Sequence, residues 1–372
     1  MWLPVVLLLL SLAQDTDFVA AGLKALEAKE YAAAAQQFTK AIAADPADYA
    51  AHFNLALASS LLGKPDEAIA GYRKTLELKP GLYEAQVNLG ILLVGQKQPR
   101  EAIPPLEAAA AQRPQNFAPN IFLAQALLAA DEPAKAEPYF AAAAKLNPNS
   151  AAAEQGLGRS RARQNRLAEA APDFRKAAEL DPGYKDALLE LASLYESHDQ
   201  AAEAIELYKL FPENAAARER VALLLIKTGK PVEAAPLLRE LLASEPGDLA
   251  LRMLYGRTLR DLKNYPAAAT EFEHVVGAKA DSVEAWNELA GVLTLAEDYP
   301  RALVALDRLK ALGAETPGHL YIRAIILDKA KQLRPALESY QKFLSTSGGK
   351  SPEEEFKARQ RVRILERELN RR

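Results

Sequence analysis

An alanine followed four residues later by an aromatic residue or leucine recurs along the whole chain. The pairs are Ala34/Phe38, Ala68/Tyr72, Ala102/Leu106, Ala136/Phe140, Ala170/Phe174, Ala204/Tyr208, Ala234/Leu238, Ala268/Phe272, Ala302/Leu306 and Ala336/Tyr340. Successive pairs are 34 residues apart, except that Ala204 to Ala234 is 30. A proline ladder keeps the same step: Pro46, Pro80, Pro114, Pro148 and Pro182, then Pro212 to Pro246. A fixed period of this length marks an array in which each unit buries its apolar face only by stacking on its neighbours.

Each period reads as two helices. In Tyr49–Leu82 one helical pattern runs from about Ala50 to Leu62 and is broken by Gly63-Lys64-Pro65. A second runs from Asp66 to about Leu78 and ends at Lys79-Pro80-Gly81, because proline lacks an amide donor and disfavours helix in the residue before it. Ala68, Tyr72 and Leu76 share one face of the second helix. A small residue opposes them from the first helix, as at Gly22, Ala56, Gly90, Ala124, Gly158, Ala192, Ala222, Gly256, Ala290 and Ala324. Composition agrees: 49% of residues are hydrophobic but only 7% are aromatic, which suits many helices packed closely through alanine.

These residues resemble the tetratricopeptide repeat family. Trp286-Asn287-Glu288-Leu289-Ala290, with Ala302 and Leu306 following, is similar to the opening of that motif. Ala68-Ile69, Tyr72 and Leu76-Glu77-Leu78-Lys79-Pro80 resemble its second half. The resemblance covers about residues 15–350 and implies an all-α fold: a right-handed superhelical α-solenoid of about ten helix–turn–helix repeats. First helices would then line a concave groove. Residues 351–372 are expected to form a C-terminal capping helix. Ser351-Pro352-Glu353-Glu354 suits a helix start, and Ala358, Val362, Leu365 and Leu369 form one apolar stripe.

The 30-residue rung lacks about one helical turn, so the second helix of repeat six is expected to stop early. The outcome is either a kink or boundary between 15–214 and 215–350, or a local shortening absorbed by a loop. At the amino end, Trp2–Leu10 is apolar and Ser11-Leu12-Ala13 offers a small-residue cleavage site. Residues 1–13 therefore read as a signal peptide, and the chain as exported, with the bacterial periplasm favoured. A buried first helix or an uncleaved anchor is the other reading. The apolar run is shorter than the roughly 20 residues a spanning helix needs, and no transmembrane helix is expected in the mature chain.

Chemistry finds little foothold. With no cysteine, disulfides, thiolate nucleophiles and cysteine-ligated metals are excluded. His52, His198, His274 and His319 are dispersed, without metal-ligand spacing. Gly63-Lys64 and Gly229-Lys230 are each followed by proline and read as inter-helix turns rather than phosphate loops. A net charge of -3 offers no bulk attraction to nucleic acid, which is not an expected partner. No catalytic residue, metal or cofactor is expected.

What remains is surface. The resemblance places residues five and nine of each repeat in the groove. In repeats two to four this gives Phe53, Leu57, Val87, Ile91, Ile121 and Gln125, with Asn54 and Asn88 beside them. In later repeats it gives Gln155, Arg159 and Arg257 among others, with Arg163 and Arg260 a turn further on. The groove is thus expected to be apolar toward the amino end and charged toward the carboxyl end, holding a protein or peptide partner. The alternative for the apolar set is packing inside the solenoid. Some family members clamp a chain-terminal carboxylate. That is not expected here, because Val87 and Phe53 stand where basic residues would be needed. A non-catalytic exported scaffold is the leading reading. A specificity subunit of an exported enzyme, or an organiser of an envelope assembly, stands behind it.

Overall fold

The computed structural model describes residues 17–370, which form twenty-one α-helices, one short 3-10 turn and no strand. The expected signal peptide lies outside the described residues. Two compact units divide the chain, one ending at Gln200 and one beginning at Ala201. The first contains α1 (Asp17–Glu27), α2 (Tyr31–Ala44), α3 (Tyr49–Leu61), α4 (Pro65–Leu78), α5 (Tyr83–Gly95), α6 (Pro99–Gln112), α7 (Phe117–Ala129), α8 (Pro133–Leu146), α9 (Ala151–Arg163), α10 (Leu167–Leu180) and α11 (Asp186–Ser197). The second contains α12 (Ala201–Tyr208), α13 (Ala215–Lys227), α14 (Pro231–Ser244), α15 (Leu249–Asp261), α16 (Tyr265–Ala278), α17 (Val283–Leu295), α18 (Tyr299–Ala311), α19 (Pro317–Lys329), α20 (Leu333–Thr346) and α21 (Pro352–Asn370).

Local chemistry sets the helix ends. At the start of α3 the Asp48 carboxylate accepts hydrogen bonds from the Ala50 and Ala51 amides at 2.8 and 3.0 Å, using donors the first helical turn leaves free. Several second helices, α4, α6 and α8 among them, carry proline in their first turn, where its missing amide costs nothing.

The turn between the two helices of a repeat has its own ladder. A left-handed residue stands at Lys29, Gly63, Lys97, Asp131, Asn165 and Asp199 in the first unit, and at Gly229, Lys263, Glu297 and Lys331 in the second. It closes the first helix, as where the Lys64 amide donates back to the Ser59 carbonyl at 2.9 Å. Only Gly63 and Gly229 in this set avoid the steric cost of that conformation.

Helix pairs lock through a small residue against a bulky one. A Cβ added at Gly22 would sit 2.6 Å from the Phe38 ring, one at Gly90 2.3 Å from Leu106, and one at Gly256 2.7 Å from Phe272. Phe38, Tyr72, Leu106 and Phe140 are essentially fully buried and belong to a continuous apolar cluster running from Ala25 to Leu157. Each such side chain contributes roughly 1.5–3 kcal/mol by leaving water.

The irregular rung has the expected local effect: α12 has 8 residues, whereas α10 and α14 have 14. The unit boundary falls one helix before 214/215, because α12 packs on α13 and goes with the repeat that follows it. At the carboxyl end α21 caps α20. Ala358 and Leu365 are buried with Leu320, Leu327, Tyr340 and Phe343, and Val362 and Leu369 pack beside them. The acid that fixes entry into this helix is Glu355, whose Oε1 accepts from Ser347 Oγ at 2.7 Å and the Gly349 amide at 2.8 Å.

Candidate peptide-binding cleft

The expected contact residues separate into three groups. Phe53, Leu57, Val87, Ile91 and Ile121 are buried, none more than 4% exposed, and join the apolar cluster of the first unit. The Phe53 ring packs 5.5 Å from that of Tyr72. Asn54 and Asn88 are buried as well, and the Asn88 amide donates to the Tyr72 hydroxyl at 3.3 Å. This corrects the expectation of an open apolar zone. The same side chains that would offer a partner area have already lost their water to packing, so they present no free surface.

Arg257 and Arg260 form the second group. Arg257 Nε donates to Glu288 at 2.7 Å and its Nη2 pairs with Glu284. Arg260 Nη1 donates to the other Glu288 oxygen at 2.5 Å, and its Nη2 reaches Asp261 at 3.0 Å. These arginines brace α15 against α17 and are neutralised within the chain.

Gln125, Arg159 and Arg163 form the third, and the structure brings them together. They line a cleft of about 500 Å³ in the first unit, with Leu128, Ala129, Phe140, Ala152, Gln155, Gly156, Tyr184 and Glu190. That volume lies in the range of ligand-binding cavities. Beneath the cleft the buried Phe140 ring packs against Gly156, which is possible because Gly156 has no side chain: a Cβ there would meet the ring at 2.1 Å. Tyr184 is delivered by the 3-10 turn Pro182–Tyr184, where the Asp181 carboxylate accepts from the Gly183 amide at 2.8 Å.

The polar rim is partly committed. Arg159 Nε donates to both Glu190 oxygens at 2.9 and 2.8 Å, tying α9 to α11. Arg163, which also lines the cleft, donates from Nη1 to the Leu128 carbonyl at 2.8 Å. The side-chain amides of Gln125 and Gln155 have no hydrogen bond among the described residues. The rim therefore offers two unspent amides, each a donor and an acceptor, and free guanidinium donors above an apolar base.

On the opposite side of α9, Arg161 Nη1 donates to Asp173 at 2.8 and 3.0 Å, and its Nε to Glu137 at 3.2 Å. Burial pushes the Asp173 carboxyl up to about 6, against the pull of Arg161. Glu137 is held below the usual carboxylate range despite burial, by hydrogen bonds from Gln164, Arg166 and Arg161. A second depression of about 740 Å³, between α2, α3 and α4, has a mixed lining: alanines and Leu55 alternate with polar and charged side chains such as Gln36, His52, Lys64 and Glu67. Among the described residues there is no cluster of His, Asp or Glu able to hold a metal ion. None of their helices is long and apolar enough to cross a membrane.

Sequence reasoning missed Glu190, Glu288 and Tyr184. The two glutamates had a signal: Arg159/Glu190 and Arg257/Glu288 share an offset of 31 residues. One period minus three residues places a side chain in the next first helix, almost one turn back.

Comparison with known proteins decides the family. Tetratricopeptide repeat profiles match residues 93–160, 161–225 and 225–287, and a further one matches residues 19–83. The chain belongs to the tetratricopeptide repeat family. Among curated proteins it is similar to the human protein O-mannosyl-transferase TMTC1, 27% identical over 163 residues, which is 41% of this chain. That match spans only 18% of the transferase's length. Among solved structures, YrrB, a tetratricopeptide repeat protein with an unusual peptide-binding site, is 27% identical. The alignment covers 53% of this chain and 99% of YrrB, with a TM-score of 0.43. MamA from Desulfovibrio magneticus RS-1 is 23% identical, covering 45% of this chain and 94% of its own, with a TM-score of 0.41.

Proposed function

We propose that this tetratricopeptide repeat chain is a non-catalytic scaffold that holds an extended segment of a partner protein in the cleft between α7, α9 and α11. The observation that carries this reading is the pair of uncommitted amides, Gln125 and Gln155, above the floor made by Phe140 and Gly156. A glutamine amide can both donate to and accept from a peptide unit, so two in one cleft suit an extended backbone whatever its side chains. The scaffold is exported, a reading supported by the apolar run and small-residue site of residues 1–13.

A photo-crosslinking residue at position 155, compared with one at exposed Lys145, tests the cleft in the native cell. Protein adducts are expected from position 155 and should fall when Gln125 is replaced by tryptophan. Equal adducts from both positions would refute the assignment. Export is checked by fractionation and by reading the mature amino terminus: a chain recovered in the cytoplasm that still begins at Met1 would refute it.

A further inference from the structure

Charge in the cleft is unbalanced. Arg159 and Arg163 lie one turn apart on α9 and both line it, whereas Glu190 is the one carboxylate among its lining residues. Asp131 does not restore the balance: it sits 3.7 Å from Arg163 and is 90% exposed, so water and salt screen it.

The Arg159–Glu190 pair is also open to exchange. The two side chains remain 43% and 33% exposed, so water reaches and screens the pair even though the Arg159 fork grips both Glu190 oxygens. Its counterpart in the second unit differs. Glu288 is 17% exposed and accepts from both Arg257 and Arg260, so it is braced twice where Glu190 is held once. The same spacing gives a carboxylate held by two arginines in one unit and, in the other, a more exposed carboxylate held by one.

We propose that Glu190 is an internal competitor for Arg159, and that the ligand of this cleft carries a carboxylate that displaces it. The inference rests on the cleft being a peptide site. On binding, the incoming carboxylate takes the planar fork of Arg159 with Arg163 beside it, and Glu190 turns to solvent. Two guanidinium groups then face one ligand anion. The carboxylate comes from an acidic side chain or from a free chain end, both of which present the same oxygens.

The test uses the full chain, isotopically labelled, with nuclear magnetic resonance signals of the Arg159 and Arg163 Nε–H groups and the Gln125 and Gln155 amides. The probes are an amidated alanine-rich hexapeptide with a central glutamate, its glutamine isostere, and that isostere with a free carboxy terminus. The glutamate peptide should shift all four signals, and the amidated isostere should bind about tenfold more weakly. Glu190→Gln should tighten the acidic probe about tenfold while melting like the parent chain, and Arg159→Gln should weaken it by a similar factor. Stronger binding of the free-ended isostere assigns the carboxylate to a chain end and supports the same exchange. If the amidated isostere binds as well as the glutamate peptide and Glu190→Gln changes nothing, the carboxylate inference is overturned while the peptide cleft stands. If no peptide moves the Gln125 and Gln155 amides, both fall.

Discussion

Replacing Gly156 with alanine tests the cleft floor, because at this position two effects of known size oppose each other. Alanine is favoured over glycine in a helix interior by about 1 kcal/mol. At Gly291, inside α17, an added Cβ meets nothing within 4 Å, so Gly291→Ala should realise that gain and stabilise by roughly 0.5–1 kcal/mol. At Gly158 the nearest atoms, on the Phe174 ring, are 3.0 and 3.2 Å away. A shift of a few tenths of an ångström relieves the contact, and the gain and the cost should nearly cancel. At Gly156 the Phe140 ring atoms lie at 2.1, 2.4 and 2.5 Å, against a comfortable separation of roughly 3.5–4.0 Å. The ring must retreat by more than an ångström, yet Phe140 is 1% exposed and enclosed. Overpacking of that kind costs about 1–3 kcal/mol, and more when the neighbour cannot yield. Gly156→Ala should therefore lose the stabilisation expected at Gly291 and destabilise by up to roughly 2 kcal/mol net. Urea unfolding followed by far-ultraviolet circular dichroism measures the three variants, with equal slopes required before midpoints are compared. Adding Phe140→Leu should cost less in the Gly156→Ala background than in the parent, a coupling a double-mutant cycle reads directly. A Gly156→Ala chain as stable as the Gly291→Ala chain would refute the close packing of this floor.

Further outcomes follow from other parts of the structure. Lys97→Gly and Lys263→Gly, at left-handed turn positions, should each raise stability by about 0.5–1 kcal/mol in urea melts, since the relief of strain exceeds the added chain entropy. Asp173 has a folded pKa of about 6 against a usual 3.8. Its contribution to stability is therefore full below the usual value and lost as pH rises through 6, so it favours the folded state more at pH 5 than at pH 7. Asp173→Asn should remove that part of the slope in melts across this window, and an unchanged slope would refute the assignment. Leu365→Ala, at the buried centre of the cap, should cost about 2–4 kcal/mol and expose the segment after Pro317 to proteolysis first.

How far the sequence could be read depended on whether a property belongs to one repeat or to its neighbours. The Ala/aromatic and proline ladders located every helix pair, because four-residue spacing and proline termination act within a single repeat. The 30-residue rung located the short α12 for the same reason. The turn ladder escaped notice because Lys29, Lys97, Asp131 and Asn165 stand where glycine would announce a left-handed residue. Whether Phe53, Val87 and Ile91 face a groove or a core was not legible. Periodicity fixes which side of a helix a residue occupies, but not how closely the next repeat approaches it. The commitments of Arg159 and Arg257 were not legible either, since their partners Glu190 and Glu288 lie in the following repeat. Of the charged zone, Arg159 and Arg163 border an open cleft while Arg257 and Arg260 are consumed internally.

The cleft draws its walls from α7, α9 and α11, the first helices of three successive repeats. In a linear array, stability is close to a sum of intrinsic and nearest-neighbour terms. A ligand seated there touches units that are second neighbours and otherwise share few contacts. It would thus add a coupling of longer range than the bare chain possesses. Its thermodynamic signature would be a sharper transition for this stretch, with adjacent rungs melting together, as well as a higher midpoint. Partner binding would then be detectable as cooperativity before the partner itself is identified.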